Sequence, residues 1–300
     1  MPESSVQPAS LVKRIGTFLA LTLAFVLLTG TLIIVLGLIS PSIPDWFNAP
    51  DLSEYLRNWV IFLISVIIAV WVVDQLQEKR GWFGLGFSLQ GITHGLLIGS
   101  GTALCILTLC FLVLVFGGWT TIVASNFLAP AFMGWLIFFL VQPLAEEVVM
   151  RSFFQNQLHR LFGPWVGLFG CALIFSALHM GNNAFTWIAG LEIVAGGFLM
   201  GLLFLHTQNI WAAYAMHATW NFYQSIVLGF AVSGMDTYRF LTLKTSGPAW
   251  LTGGEFGLEG SILSLVLLVV AILIFWPAIK KEVPAMIAPN EDLSLLDHEL

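Results

Sequence analysis

The chain alternates long apolar runs with short polar breaks, and this pattern constrains its fold more than any single residue does. Apolar runs fall at about 15–39, 58–74, 92–117, 131–153, 164–180, 184–205, 209–229 and 260–279. Most approach the ~20 residues that a helix needs to cross ~30 Å of hydrocarbon. A single soluble core cannot hide that many such runs. The composition agrees: 58% of the residues are hydrophobic, 9% are charged and the mean hydropathy is +0.91, far from what a water-facing surface requires. The expected fold class is all-α, a polytopic membrane helical bundle of about eight transmembrane helices. The first run follows Lys13 and Arg14 and is too long for the apolar core of a signal peptide, so a retained first span is expected.

Cations in the short loops set the expected orientation. Lys13 and Arg14, Lys79 and Arg80, Arg160, and Lys280 and Lys281 all fall on one side of an eight-span bundle. Both termini are then cytoplasmic. The loop bearing Asp45, Asp51 and Glu54 and the loop 230–259 face outward, with Arg239 and Lys244 opposing the scheme mildly. The stretch GWFGLGFS at 81–88 reads as an interfacial piece. A net charge of -6, spread over loops and tails, points to no nucleic-acid partner. Cys105, Cys110 and Cys171 have no CxxC spacing and read as packing residues.

Polar residues inside the spans carry the functional information, because a carboxylate at membrane depth is costly unless it meets a partner or a cavity. In AEEVVMRSFF, 145–154, Arg151 follows Glu147 by four residues, which puts the two on one helical face. Glu146 points about 100° away and is left free to act as a general base. In FSALH, Phe175 and His179 share a face, and in HATWN, His217 and Asn221 do the same. A carboxylate, two imidazoles and an amide from separate helices can activate water and bind an oxyanion, or Glu146, His179 and His217 can ligate zinc. Structural readings stand beside these. Interhelical polar pairs contribute ~0.6 kcal/mol on average in membranes, and a Glu-Arg pair at this spacing also serves as a plain ion pair. Glu192 is a further intramembrane acid with no basic neighbour in its own helix. His94, His159, His206 and His298 sit near span ends or in the tail.

EEVVMR at 146–151 resembles the EExxxR motif, FSALH at 175–179 the FxxxH motif and HATWN at 217–221 the HxxxN motif of the CPBP family, the CAAX proteases and bacteriocin-processing enzymes that include the Rce1-like and Abi proteins. The resemblance covers about 130–228, and the loop SGPAWLTGGEFGLEGS, 246–261, is similar to one in bacterial members. It implies three parts: N-terminal transmembrane helices with the interfacial segment in 1–130, a catalytic helical core in 131–229, and the outward loop, last span and cytoplasmic tail in 230–300. It also implies an intramembrane endopeptidase, a hydrolase acting on membrane-bound peptides or proteins of CAAX or leader-peptide type, in the cytoplasmic membrane of a bacterium. Glu146 would activate water, His179 would position it, and His217 with Asn221 would stabilise the oxyanion, with Glu147, Arg151 and Phe175 in support. The family is described both as metal-dependent and as glutamate-type, so the cofactor is none or Zn2+. Asn221, a good donor and poor ligand, favours the metal-free form. Two other readings of the same residues stay open: a transporter or proton relay, and a non-catalytic immunity or scaffold protein.

Overall fold

The computed structural model describes residues 10–40, 50–77 and 79–287, with residues 50 and 277–287 described by backbone alone. Asp45 and His298, which the sequence reading placed in an outward loop and a tail, lie outside the described residues, as do the side chains of Lys280 and Lys281. Helices dominate because hydrocarbon offers the backbone no hydrogen-bond partner, and a helix satisfies its own. Eight helices of twelve or more residues follow one another among the described residues: α1 (Leu11–Ile39), α2 (Pro50–Gln77), α3 (Ile92–Phe116), α4 (Ala129–Phe162), α5 (Pro164–Leu178), α6 (Trp187–Thr207), α7 (Trp211–Phe222) and α8 (Ile262–Ile287). Their order matches the eight apolar runs. Five of them, α1 to α4 and α6, are long and apolar enough to cross a membrane; α5 and α7 are shorter.

Local chemistry sets where these helices begin. Ser10 and Thr186 accept from the backbone N–H groups of Lys13 and Ala189, capping α1 and α6. Pro164 stands at the first position of α5, where its missing N–H costs nothing. At the start of α7, Asn209 Oδ1 accepts from Trp211 N at 3.1 Å.

Helix α6 is the axis of the bundle. Apart from Glu192 it is apolar over most of its length, 78% of its most apolar stretch is buried, and α5, α7 and α8 pack around it in the largest core cluster. A helix without a polar face belongs inside such a bundle. Helix α1, by contrast, is only 11% buried over its window and leans on α2 at the periphery. Helices α3 and α7 make the closest approach. Gly95, Gly99 and Ala103 recur every four residues along α3, the small-residue spacing that lets membrane helices touch backbone to backbone. A Cβ on Gly99 would sit 2.1 Å from the carbonyl oxygen of Ala212.

One element departs from the helical expectation. Thr120–Ser125 and Leu241–Thr245 pair as a two-stranded antiparallel sheet with an irregularity between Ile122 and Ala124. The β-branched run of the first strand is legible, but its partner lies over a hundred residues away, outside the reach of local patterning. The sheet closes one end of the bundle. The remainder of the 230–259 segment adds a short helix, Ala249–Thr252, and leads into a 3-10 turn, Leu258–Gly260. At the other end Arg14 bonds the carbonyl of Leu161, Gln157 bonds Gln77, and Ile210 N bonds Gly86 O, so the termini of α1, α2, α4 and α6 meet there.

Because Gly99 sits at the tightest helix contact, Gly99→Leu is expected to cost about 1–3 kcal/mol by overpacking. Thermal unfolding of the detergent-purified protein measures this. Gly101→Leu, at a glycine with no neighbour within 4 Å, is the control expected to unfold like the unaltered chain.

Candidate active site

The site begins at a break in α4. Pro143 lies inside the helix, removing one backbone donor, and from Val148 to Gln155 the backbone widens into a π-helical stretch. Such wide turns concentrate at functional sites. Glu146 and Glu147 stand immediately before it. Arg151 Nε donates to Glu147 Oε2 at 2.7 Å, with both side chains fully buried. Arg151 Nη1 also donates to Gln155 Oε1 at 3.0 Å and to the carbonyl of Gly197 on α6 at 3.1 Å. Gln155 Nε2 reaches the carbonyl of Gly201 at 3.0 Å. The spacing of Glu147 and Arg151 is thus realised, and the pair ties α4 to the axial helix.

Glu147 does more than face the arginine. Its other oxygen, Oε1, accepts from Nδ1 of His217 on α7 at 2.9 Å, and that bond turns Nε2 of the same ring toward Glu146, 3.7 Å from Oε2. Glu146 Oε1 accepts from Gln142 Nε2, one turn earlier in α4. Gln142 Oε1 in turn accepts from Asn221 Nδ2 at 3.2 Å. Glu146 is therefore held through one oxygen, by Gln142 of its own helix. Its Oε2 is buried and has no hydrogen-bond partner.

His179 lies just past the end of α5 as its C-cap, half-buried, with Nδ1 bonded to the carbonyl of Phe175 at 2.8 Å. The Phe175 ring is edge-on to both imidazoles, with centroids 4.6 Å from His179 and 5.7 Å from His217. Phe175 thus spaces the two histidines apart. Glu146, Phe175, His179, His217 and Asn221 all line one cleft of about 1020 Å³. Tyr55, Trp59 and Phe62 of α2 and Trp135 and Phe138 of α4 give the cleft an aromatic wall. Glu147 and Arg151 stand behind it.

Among the described residues no three His, Cys, Asp or Glu side chains are grouped so as to hold a metal ion. Glu146, His179 and His217 share the cleft without converging on one point, so the residues present do not fit a three-ligand zinc site in this conformation. Of the other polar residues, Glu192 on α6 is buried and accepts from Ser264 Oγ at 2.7 Å. The link through Gln142 was missed by sequence reasoning. Its signal was present, since a glutamine one helical turn before Glu146 in an apolar run meets the same cost as any intramembrane polar group.

Removing one partner from a buried ion pair leaves the other charge uncompensated. Arg151→Met is expected to destabilise the fold by about 3–5 kcal/mol. Because the two groups share one interaction, Glu147→Gln combined with Arg151→Met should cost less than the sum of the single changes. Thermal unfolding in detergent of the two single variants and the double variant checks both statements.

Comparison with curated proteins found no match. Comparison with protein families matched residues 127–223 to the family described as type II CAAX prenyl endopeptidase Rce1-like. That segment is about a third of the chain and contains every residue of the EEVVMR, FSALH and HATWN motifs. Together with the apolar helices it supports an integral membrane protein and a protease of CAAX type in general. The chain carries an Rce1-like segment over residues 127–223, consistent with the CPBP intramembrane proteases.

Proposed function

We propose that the protein is an intramembrane endopeptidase that uses a water activated by Glu146 to cut membrane-associated peptides or proteins of CAAX or leader-peptide type. The observation that carries this reading is Glu146 Oε2: a buried carboxylate oxygen without a partner, in the wall of a large cleft, 3.7 Å from an imidazole nitrogen. Gln142 occupies the other oxygen and so directs Oε2 to the task of accepting a proton. The hydroxide formed attacks the scissile carbonyl carbon. Negative charge then develops on the carbonyl oxygen, where Asn221, which spends one of its two N–H groups on Gln142, has the other to donate. His217, its ring oriented by Glu147, presents Nε2 beside the same point. His179 has Nδ1 engaged by Phe175, which leaves Nε2 to position the water. Glu146 returns its proton to the leaving amine, so one carboxyl serves as base and then as acid.

The aromatic wall suits a substrate that brings an apolar group with it, and a site within a bundle favours a peptide that enters from the lipid or as an extended tail. Both termini are cytoplasmic in this reading, because Arg14, Lys79, Arg80 and Arg160 gather at the end opposite the strand pair. A topology reporter fused to either terminus should then read cytoplasmic, and one inserted at Glu255 should read outward.

Cleavage of a library of membrane-inserted peptides tests the chemistry. Glu146→Gln keeps the shape of the side chain and removes the base, so the rate should fall by about 10²–10⁴-fold while expression and thermal unfolding stay unchanged. A chelator should leave the rate of the unaltered protein intact, since the three donors do not converge. Cleavage by Glu146→Gln at the original rate would end this reading.

A further inference from the structure

Behind the two histidines lies a second, smaller cavity of about 50 Å³. Phe175, His179, His217, Asn221 and Ser233 line both cavities, whereas Glu146 faces only the large cleft and Glu192 and Glu259 face only the small one. No lysine or arginine lines the small cavity. Two buried carboxyl groups, 3% and 6% exposed, therefore sit at the back of the wall whose front is the candidate active site. Nothing in the mechanism uses them.

Glu192 is engaged by Ser264. Glu259, in the turn before α8, accepts from both the backbone N–H and the hydroxyl of Ser233, the latter at 3.0 Å. Ser233 belongs to a tight turn, closed by pairing of Val232 with Met235, that forms the rim of the large cleft from Val232 to Asp236. Its φ is +48°, a left-handed conformation unfavourable for a side chain with a Cβ. Strain of this kind persists only where the surroundings over-determine it, and it collects at functional sites. Here the surroundings are explicit. Asn182, three residues after His179, donates to Ser233 O at 3.1 Å, and Gly234 N bonds Phe256 O at 3.0 Å. Gly234, at φ +77°, passes so close to Asn183 that a Cβ would lie 2.0 Å from its carbonyl oxygen.

We propose that Glu259 is a positioning residue of the peptidase site: by holding Ser233 in its strained turn it sets the rim of the cleft against His179 and the substrate chain. This rests on the peptidase reading above. Burial pushes the Glu259 carboxyl above the usual range, while the Ser233 bonds and the two nearby histidines pull it back. A carboxamide is a fitting replacement for such a group. In Glu259→Gln the carbonyl oxygen can take both Ser233 bonds while the NH2 group faces Glu192. Alanine can do neither.

The test reads two quantities on the full-length protein in detergent. Hydrogen exchange of the 230–240 segment reports the turn without reference to activity, and steady-state cleavage of a membrane-inserted probe peptide reports KM and kcat. Glu259→Ala should lose protection at Ser233 and Gly234 and lower kcat/KM by about tenfold, as expected for the loss of two hydrogen bonds, chiefly through KM. Glu259→Gln should recover most of both. Native-like protection in Glu259→Ala would overturn the proposal. Equal losses in Glu259→Gln and Glu259→Ala would also overturn it, by making charge rather than placement the important property. If Glu259→Ala does not fold, Ser233→Ala takes its place. That variant removes one of the two bonds and should show a partial loss of protection with a raised KM, and no change in either would be equally fatal. If the unaltered protein cleaves no probe, the peptidase reading fails, while the exchange data still decide whether Glu259 holds the turn.

Discussion

The site depends on a single buried ion pair. Glu147 and Arg151 are fully removed from solvent, and neither charge could stay there alone, because the desolvation cost exceeds what one or two neutral hydrogen bonds return. Each group also bonds another helix: Arg151 Nη1 the carbonyl of Gly197 in α6, and Glu147 Oε1 the His217 ring in α7. The pair therefore joins α4, the axial helix and the histidine helix at one point. The placing of Glu146 against the α7 side chains depends on it together with the bond from Asn221 to Gln142. Glu146, one residue earlier, inherits its place from that junction and from Gln142.

The same solvent argument explains why the framework can be loose elsewhere. Between helices in hydrocarbon there is no hydrophobic driving force, so close packing of small residues and polar links must hold the bundle. Gly95, Gly99 and Ala103 bring α3 against α7 from one side, and the Glu147 and Gln142 links bring α4 against it from the other. Helix α7 is only twelve residues long, yet it is fixed by backbone contact and by its polar residues. Helix α1 has neither kind of tie to the site and stands at the edge.

Much of this was legible in the sequence. The apolar runs fall where the helices are, since length and hydropathy are what hydrocarbon selects. The four-residue spacings of Glu147 with Arg151 and of His217 with Asn221 survive as shared helical faces. Other features were hidden for physical reasons. An α-helical wheel cannot show that Val148–Gln155 opens into a π turn, and it assigns Glu147 to Arg151 alone, because the second partner comes from another helix 70 residues on. The Gln142 contact to Glu146 has the same four-residue spacing and was open to the same argument, but only the motif residues were weighed. The strand pair and the Ser233 turn escaped because both are made by contacts between distant segments. Glu192 could be noticed but not understood, as the carboxyl facing it lies 67 residues later.

These hidden features share a cause. A uniform helix would satisfy its backbone and leave no room for chemistry, so a site at membrane depth has to be made where helices are interrupted. Irregular backbone is tolerated there only when it is buried in protein or lines a cavity. The observed interruptions obey that rule: the π turn after Glu147, the early end of α5 at His179, and the strained turn at Ser233 all border the cleft or the ion pair behind it. Each leaves backbone groups that side chains then answer, as His179 does for the Phe175 carbonyl and Asn182 for that of Ser233. The polar residues that look isolated along the chain are thus the ones that let the helices stop.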